Sequence, residues 1–567
     1  MFTGDGVQKL LATAREWAAH DPDETAQAQV LNWANLVETD GPDAAEALAE
    51  LSKSFHGPLS FGTAGLRAEV GPGESRLSRA VIIRTTYGLT SWVQQRIGAG
   101  EQPVIVIGCD ARHGSAQFQQ DAAEVVSALG GRALVLPAKN PTPLTAFTVK
   151  KLGADAGIMV TASHNPPADN GYKVYLGGRV ASGPAEGVQL VSPADSEISA
   201  AIAAAPAASS VPRNRDLIEP IDPRSDYVDR ALSLVGKHTD VVIALTAMHG
   251  VGAALGKEIL ERAGFTVSLV AEQCDPDPDF PTVAFPNPEE LGALDLAKAH
   301  ATSIGADVII AYDPDADRCA LATPDADAEG GWRQLTGDET GALLGEYIAS
   351  HGLTSADSAF ANSVVSSRLL SCIAEHHGLA HATTLTGFKW IARTPHLAFG
   401  YEEAIGYCCD PAAVADKDGI SASVVAASLV GELKAAGKTL DDALDDLART
   451  HGLYLTAPLT FRVEDLSLIA KGMEKLRTQP PAELAGAPVA TVIDMALDGL
   501  GIGATDGMYF LTDRNDRVIV RPSGTEPKLK CYLEVVAPVE VGAEVPRAAA
   551  RERLAKIAAD LKAHLGM

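Results

Sequence analysis

Short apolar runs at residues 104–107, 133–136, 157–160, 241–245, 308–311 and 518–520 each break off in a polar or glycine-rich loop, and they alternate with longer helical patterns. A strand that is apolar on both faces has no solvent side, so it belongs in a parallel sheet covered by helices. This alternation limits the chain to the α/β class. Ligands of such sheets bind beyond the carboxyl ends of the strands, and the loops after these runs are where chemistry is sought. Towards the C-terminus, helical stretches at 422–438 and 440–450 give way to strands and hairpins at 491–495, 508–512 and 529–536, an α+β arrangement. The Ala/Pro/Ser-rich stretch 200–215 reads as a surface connection or loose helix, and 325–331 as a turn. A chain of 567 residues divides into about three or four domains at roughly 150 residues each.

The 46 Lys and Arg residues stand against 73 Asp and Glu, a formal net charge of −27. So acidic a chain repels a phosphate backbone, which argues against nucleic-acid binding through a general basic field and against a polybasic membrane-surface protein. The seven cysteines form an odd set with no CxxC pair and one adjacent pair, Cys408 and Cys409. They read as single buried thiols of a reduced, cytoplasmic protein rather than a disulfide framework or a zinc site. The N-terminal stretch is an amphipathic acidic helix without a signal-peptide core. No segment reaches the roughly 18 apolar residues of a membrane span, so the expectation is a soluble protein without a membrane partner.

Three loops carry chemistry. After 157–160 comes Thr161-Ala162-Ser163-His164-Asn165-Pro166-Pro167, continuing to Asn170-Gly171-Tyr172-Lys173. A serine beside a histidine at a strand end suits a nucleophile with its proton shuttle, and Lys173 is near enough to fold back over it. The alternative is a plain turn, since Asn-Pro-Pro and Asn-Gly both favour turns. After 308–311 comes Asp313-Pro314-Asp315-Ala316-Asp317-Arg318. Three carboxylates at alternate positions can turn oxygens towards one hard cation such as Mg²⁺. An EF-hand loop would need Gly and Glu where Arg318 and Pro324 stand. An exposed acidic turn is the alternative, as for Asp275-Pro276-Asp277-Pro278-Asp279, which no strand delivers. After 518–520 comes Arg521-Pro522-Ser523-Gly524-Thr525-Glu526-Pro527-Lys528, where backbone N–H groups, two hydroxyls and a guanidinium make a nest for phosphate, or a Pro-Ser-Gly turn. Nucleophile, cation site and anion nest together point to phosphoryl chemistry. The stretch 431–439 misses the Walker A spacing, 498–507 lacks GxGxxG, and there is no Gly-x-Ser-x-Gly elbow.

The loops TASHNP, DPDADR and RPSGTEPK, in that order, resemble the signature set of the α-D-phosphohexomutase superfamily, the phosphoglucomutases and phosphomannomutases. FGTAGLR at 61–67, GFKW at 387–390 and YEEAIGY at 401–407 extend the resemblance, which runs from about residue 17 to the C-terminus. FGTAGLRAEVGPG, TLTGFKWI and YEEAIGY together are similar to the branch containing phosphoglucomutase-2 and phosphopentomutase enzymes.

The resemblance implies a four-domain α/β architecture, three mixed α/β sheet domains and a C-terminal α+β domain around a central cleft. The corresponding limits are 1–225 with the phosphoserine loop, 226–332 with the metal loop, 333–455 with the sugar loop and 456–567 with the phosphate loop. Ser163 matches the serine that cycles as phosphoserine, His164 and Lys173 the neighbouring proton-transfer and positioning residues, and Arg67 an arginine near the transferring phosphate. Asp313, Asp315 and Asp317 match the Mg²⁺ ligands, with the Ser163 phosphate as a further ligand, and Arg318 would hold phosphate or sugar. Arg521, Ser523, Gly524 and Thr525 match the site for the non-reacting phosphate, with Lys528 beside them. Glu402 and Glu403 match the sugar-reading loop. Gly387 and Lys389 in GFKW and Lys417 in DKDG are further candidates for substrate contact, and for each lysine the alternative is a solvated side chain. Ala404 stands where phosphoglucomutases often have Ser, which removes one polar contact.

The implied activity is a phosphomutase acting on a small sugar phosphate, interconverting 1- and 6-phosphates through a 1,6-bisphosphate that also serves as activator. Phosphoglucomutase is the leading form. Phosphopentomutase, working between ribose or deoxyribose 1- and 5-phosphates, and phosphomannomutase are the alternatives. A phosphatase, a sugar bisphosphate synthase and an inactive sugar-phosphate sensor compete from outside the class; the intact nucleophile and metal loops argue against the last. The expected assembly is a monomer or small homo-oligomer.

Overall fold

The apolar runs are strands. A computed structural model describes residues 4–39, 41–236, 240–463, 465–523 and 527–566, and the chain divides into two compact units: Met1–Gln334 with Gly406–Ser428, and Leu335–Ile405 with Leu429–Met567.

In the first unit the amphipathic N-terminal segment forms helix Gly4–His20, which packs with Glu24–Thr39 and Ala44–Ser54 around Leu10, Leu11, Val30 and Leu51. The first sheet runs, from edge to edge, Leu66–Glu69, Asp169–Leu176, Ala156–Val160, Val104–Cys109, Arg132–Val135 and Ile218–Pro220, with Val188–Gln189 paired to Asp169–Leu176. Its central strands are parallel. Ala156–Val160 is buried along its whole length, as a two-face-covered strand must be.

Asp169–Leu176 runs antiparallel to Ala156–Val160, and the register sets Lys173 opposite Met159. The second sheet repeats the device: Val308–Tyr312 is parallel to Val242–Thr246, but Cys319–Pro324 returns antiparallel, with Tyr312 opposite Cys319. The connections after both strands are too short for a helical crossover, so the chain reverses directly. Each reversal places its loop at the carboxyl end of a fully buried strand. The serine loop and the aspartate loop are these two reversals.

The stretch 200–215 differs from the expected loose connection. Helix Ala194–Ala203 runs into it, and Ala205, Ala208 and Val211 are buried. Its small side chains pack closely against helix Arg79–Ile97, where a Cβ on Gly88 would stand 2.6 Å from the Ile202 backbone nitrogen. Alanine there serves tight helix contact, not disorder. The cysteines also depart from expectation, since Cys274 and Cys372 are only partly buried while the other five are buried.

In the second unit Ala359–Ser363 pairs in parallel with Ala380–Thr384 and Leu397–Glu402. A separate antiparallel sheet runs Leu453–Arg462, Lys528–Ala537, Arg517–Pro522, Met508–Thr512, Ala487–Asp494 and Glu483–Leu484. Helix Arg547–Leu565 lays Leu554, Ile557 and Leu561 onto a core with Phe510, Val518, Val520 and Leu533. This is the α+β segment expected from the change of pattern. Among the described residues no single helix is long and apolar enough to cross a membrane.

Candidate active site

Beyond Val160 the chain must turn sharply. Thr161 Oγ1 accepts the Ser163 backbone N–H at 2.9 Å, and Ser163 takes a left-handed φ of 51°, which non-glycine residues seldom adopt. The turn is held from below by Arg112. Its guanidinium donates to the carbonyls of Ser163, Asn165, Pro166 and Asp169 at 2.7, 2.5, 2.8 and 3.0 Å and lies over the Phe280 ring. So constrained, Ser163 directs Oγ to Asp313 Oδ2 at 2.7 Å, with His164 Nδ1 at 3.2 Å. The serine is 3% exposed.

The aspartate loop is gripped by glycines. A Cβ on Gly250 would stand 2.4 Å from Pro314 Cα, and one on Gly419 2.3 Å from the Arg318 carbonyl oxygen, so neither neighbour tolerates a side chain. Asp313, Asp315 and Asp317 are buried, with ligand oxygens within 4.8 Å of one another. Asp315 Oδ2 accepts from Thr142 Oγ1 and Lys173 Nζ, both at 2.7 Å, while Asp317 Oδ2 accepts from Lys173 Nζ at 2.9 Å. Lys417 Nζ stands 3.3 Å from Asp317 Oδ2. Asp315 Oδ1 and Asp317 Oδ1 have no hydrogen-bond partner among the described residues. Three converging carboxylates with buried, unpartnered oxygens suit a hard divalent cation.

The electrostatics follow from burial and proximity. Burial, then repulsion from Asp315 and Asp317, raises the Asp313 pKa well above the carboxylate range. Burial would raise Asp315 and Asp317 too, but Lys173, joined at Asp317 by Lys417 and Arg318, holds both below it. Burial works against the charge on Lys173, yet Asp315, Asp317 and Asp416 raise its pKa, so it stays protonated. Burial, then Arg318 and Arg67, lowers His164 well below its ordinary value, leaving a neutral imidazole.

The remaining candidates of the first unit gather around this centre. Arg67 is exposed and donates to Asn165 Oδ1 at 3.0 Å, on the serine loop. Arg318 donates its backbone N–H to Asp313 Oδ1 at 3.0 Å, and its Nε stands 3.8 Å from Asp317 Oδ1. Lys417 is not the solvated lysine of the alternative reading, since its side chain is 12% exposed. Ser163, His164, Lys173, Arg67, Asp313, Asp315, Asp317, Arg318 and Lys417 thus come together in one unit.

A second group forms in the second unit. Glu402 Oε1 accepts the Gly387 N–H at 2.7 Å, and Gly387 has a φ of 112°, which a side chain would strain. Glu403 Oε2 accepts from Ser363 Oγ at 3.2 Å and Ser366 Oγ at 3.0 Å. Arg521 donates to Thr386 Oγ1, so the arginine after 518–520 meets the GFKW loop. Ser523 N donates to the Lys528 carbonyl at 2.9 Å. Lys389 lies on the short helix Phe388–Ile391. Gly524 and Thr525 fall outside the described residues.

Sequence reasoning missed Arg112, Thr142, Ser363 and Ser366, and gave no role to Thr161 and Thr386, which lie within the motifs it singled out. Arg112 was findable: it lies in the loop after the run 104–107, a position of the kind that flagged the other loops. The hydroxyl residues carry no spacing signal, because their role depends on which carboxylate folds beside them.

Residues 58–206, 225–328 and 336–451 match the alpha/beta/alpha domains I, II and III of the phosphoglucomutase/phosphomannomutase family, and 469–552 match its C-terminal domain. A "Probable phosphomannomutase" of Haemophilus influenzae is 44% identical over 463 residues, covering 81% of this chain and 93% of that protein. The human phosphopentomutase is 35% identical over 541 residues, covering 86% and 87%. A phosphoglucomutase of Staphylococcus epidermidis is 33% identical over 517 residues, covering 86% and 92%. The fold also matches a solved phosphoglucomutase/phosphomannomutase family protein from Burkholderia thailandensis, with a TM-score of 0.67 at 19% identity over 89% of this chain and 97% of that one. With all four domains matched and the signature loops in place, the chain belongs to the phosphoglucomutase/phosphomannomutase family of the α-D-phosphohexomutase superfamily, whose members are phosphomutases, isomerases that transfer a phosphoryl group within one molecule.

Proposed function

We propose that this protein is a Mg²⁺-dependent phosphosugar mutase interconverting glucose 1-phosphate and glucose 6-phosphate through phosphorylated Ser163 and a glucose 1,6-bisphosphate. The observation that carries this reading is the Ser163 Oγ on Asp313 Oδ2 at 2.7 Å, beside the converging oxygens of Asp315 and Asp317. These three carboxylates and the Ser163 phosphate would hold Mg²⁺, whose contribution when bound is to neutralise charge on the phosphoryl oxygens.

In the first transfer the Oγ–P bond of phosphoserine breaks as a P–O bond to the sugar hydroxyl forms. The hydroxyl proton passes by way of the neutral His164 imidazole to Ser163 Oγ, 3.2 Å from its Nδ1. The bisphosphate turns over within the site, and its other phosphoryl group returns to Ser163 by the reverse step. Lys173 keeps its charge and offsets part of the nearly two negative charges of phosphoserine. Arg67, Arg318 and Lys417 supply cations for the transferring group. Arg521, Ser523, Gly524, Thr525 and Lys528 take the non-reacting phosphate, while Glu402, Glu403, Gly387 and Lys389 read the sugar. We assign the domains to 1–225, 226–332, 333–455 and 456–567.

Intact-mass measurement is expected to show one phosphoryl group that Ser163→Ala abolishes, with turnover falling by several orders of magnitude in a folded protein. Activity retained within about tenfold would overturn the nucleophile. Because the relatives include enzymes named for mannose and pentose phosphates, the same assay compares glucose, mannose and ribose 1-phosphates. A pentose preference of about tenfold or more in kcat/KM moves the substrate to ribose phosphate.

A further inference from the structure

Side chains alternate along a strand, so Arg517, Ile519 and Arg521 of Arg517–Pro522 share one face, while Val518 and Val520 enter the core under helix Arg547–Leu565. The first face meets two loops of the parallel sheet in the same unit. Ile519 packs with Met495 against Val364 and Val365. At one end of the strand Arg521 donates to Thr386 Oγ1, next to the Gly387 whose N–H donates to Glu402. At the other end Arg517 donates through its two terminal nitrogens to the Val364 carbonyl at 2.9 Å and the Ser366 carbonyl at 2.6 Å.

Glu403 is oriented by Ser366. The Ser366 Oγ accepts the Glu403 N–H at 3.1 Å, donates to Glu403 Oε2 at 3.0 Å and lies 2.8 Å from Ser363 Oγ, which reaches the same Oε2. Arg517 is itself fixed. It is buried, and its Nε stands 3.4 Å from Oε2 of the buried Glu534, which also accepts from Ser367 Oγ, the Arg368 N–H and Arg368 Nε at 2.9, 2.8 and 2.5 Å. Burial works against the Glu534 carboxylate, but Arg517 and Arg368 hold its pKa below the usual range, so it keeps its charge. A planar fork gripping two carbonyls fixes the turn in direction as well as in place.

We propose that Arg517 is a positioning residue for sugar binding: by holding the turn 364–366 it sets the Ser366 hydroxyl and, through it, the Glu403 carboxyl. The inference rests on the reading of Glu403 as a sugar contact and of Arg521 as a phosphate contact. A single strand then sets the spacing between the sugar hydroxyls and the non-reacting phosphate.

The test is steady-state kinetics and calorimetric binding of glucose 1-phosphate with Arg517→Lys, Glu403→Ala and the double variant, each checked for folding by circular dichroism. Lysine keeps a charge beside Glu534 and loses the fork. Arg517→Lys is expected to raise KM and Kd at least about fivefold with kcat within about threefold, and to add less than about twofold once Glu403 is replaced, because it acts through that side chain. Unchanged KM and Kd in Arg517→Lys, or a rise that persists in full in the Glu403→Ala background, would overturn the proposal while wild-type turnover leaves the mutase reading standing. If the wild type binds the sugar phosphate without isomerising it, the mutase reading falls and the Kd cycle decides the proposal. Absence of both binding and turnover in the wild type overturns both. Should Arg517→Lys not fold, Ser366→Ala, which keeps the ion pairs, carries the same cycle with Glu403→Ala.

Discussion

Burial, then the adjacent Glu402 and Asp338, pushes the Glu403 carboxyl up to about 7. An acid whose pKa is raised by folding adds stability that is complete below its unfolded value, about 4.3, and is lost as pH rises through the folded one. The shift bounds that loss at about 4 kcal/mol. Glutamine keeps an acceptor for Ser363 and Ser366 and cannot ionise. Glu403→Gln is therefore expected to gain stability over the wild type progressively from about pH 5 to pH 8. Urea unfolding at the two pH values checks this, and an equal difference at both would contradict it. The rise in Glu403 was not legible in the sequence, where two adjacent glutamates look alike. Only the fold shows that one turns to the Gly387 N–H and the other into a pair of serine hydroxyls.

At the scale of elements, the serine loop is held by one side chain. Arg112 donates to four carbonyls of the loop at once, of which that of Ser163 is buried, and a buried carbonyl left without a donor costs about 1–3 kcal/mol. Lysine has a point charge in place of the planar fork. Arg112→Lys is expected to lower kcat at least about tenfold with little change in KM, since Ser163 loses its aim rather than the substrate its contacts. Steady-state kinetics beside hydrogen exchange at 161–168 would show the loosened loop; unchanged exchange with unchanged kcat would refute it. The strands were legible because residues buried on both faces must be apolar, as at Val308–Tyr312. The antiparallel return of Asp169–Leu176 was not, because direction depends on how the loop closes rather than on the strand's own residues. The stretch 200–215 misled for a related reason: alanines that allow close helix packing look, in sequence, like those of a loose linker.

For the whole molecule, a net charge of −27 disfavours polyanions by its sum and says nothing of its distribution. In the first unit Arg67, Lys173, Arg318 and Lys417 gather at the buried carboxylates, so a small anion meets a local field opposite in sign to the total. Three buried aspartates repel one another, and a cation that binds only the folded chain stabilises it, by about 2.7 kcal/mol at a hundredfold excess over Kd. Mg²⁺ is expected to raise Tm in the wild type and to leave Asp315→Asn nearly unmoved in scanning calorimetry. An equal rise in both would place the ion elsewhere. The signature loops made the aspartate centre readable in advance, whereas Lys417 fell into place only when the segment Gly406–Ser428 was seen to fold with the first unit.

That returning segment orders events during synthesis. The first unit ends at Gln334, resumes at Gly406 and closes at Ser428, so a growing chain exposes the aspartate loop long before it can supply the lysine that stands beside Asp317. Until then the three carboxylates lack one of their counter-charges. No single cut separates the two units: truncation from the C-terminal side removes part of the second unit first and, once it passes Lys417, leaves the aspartate centre without that lysine.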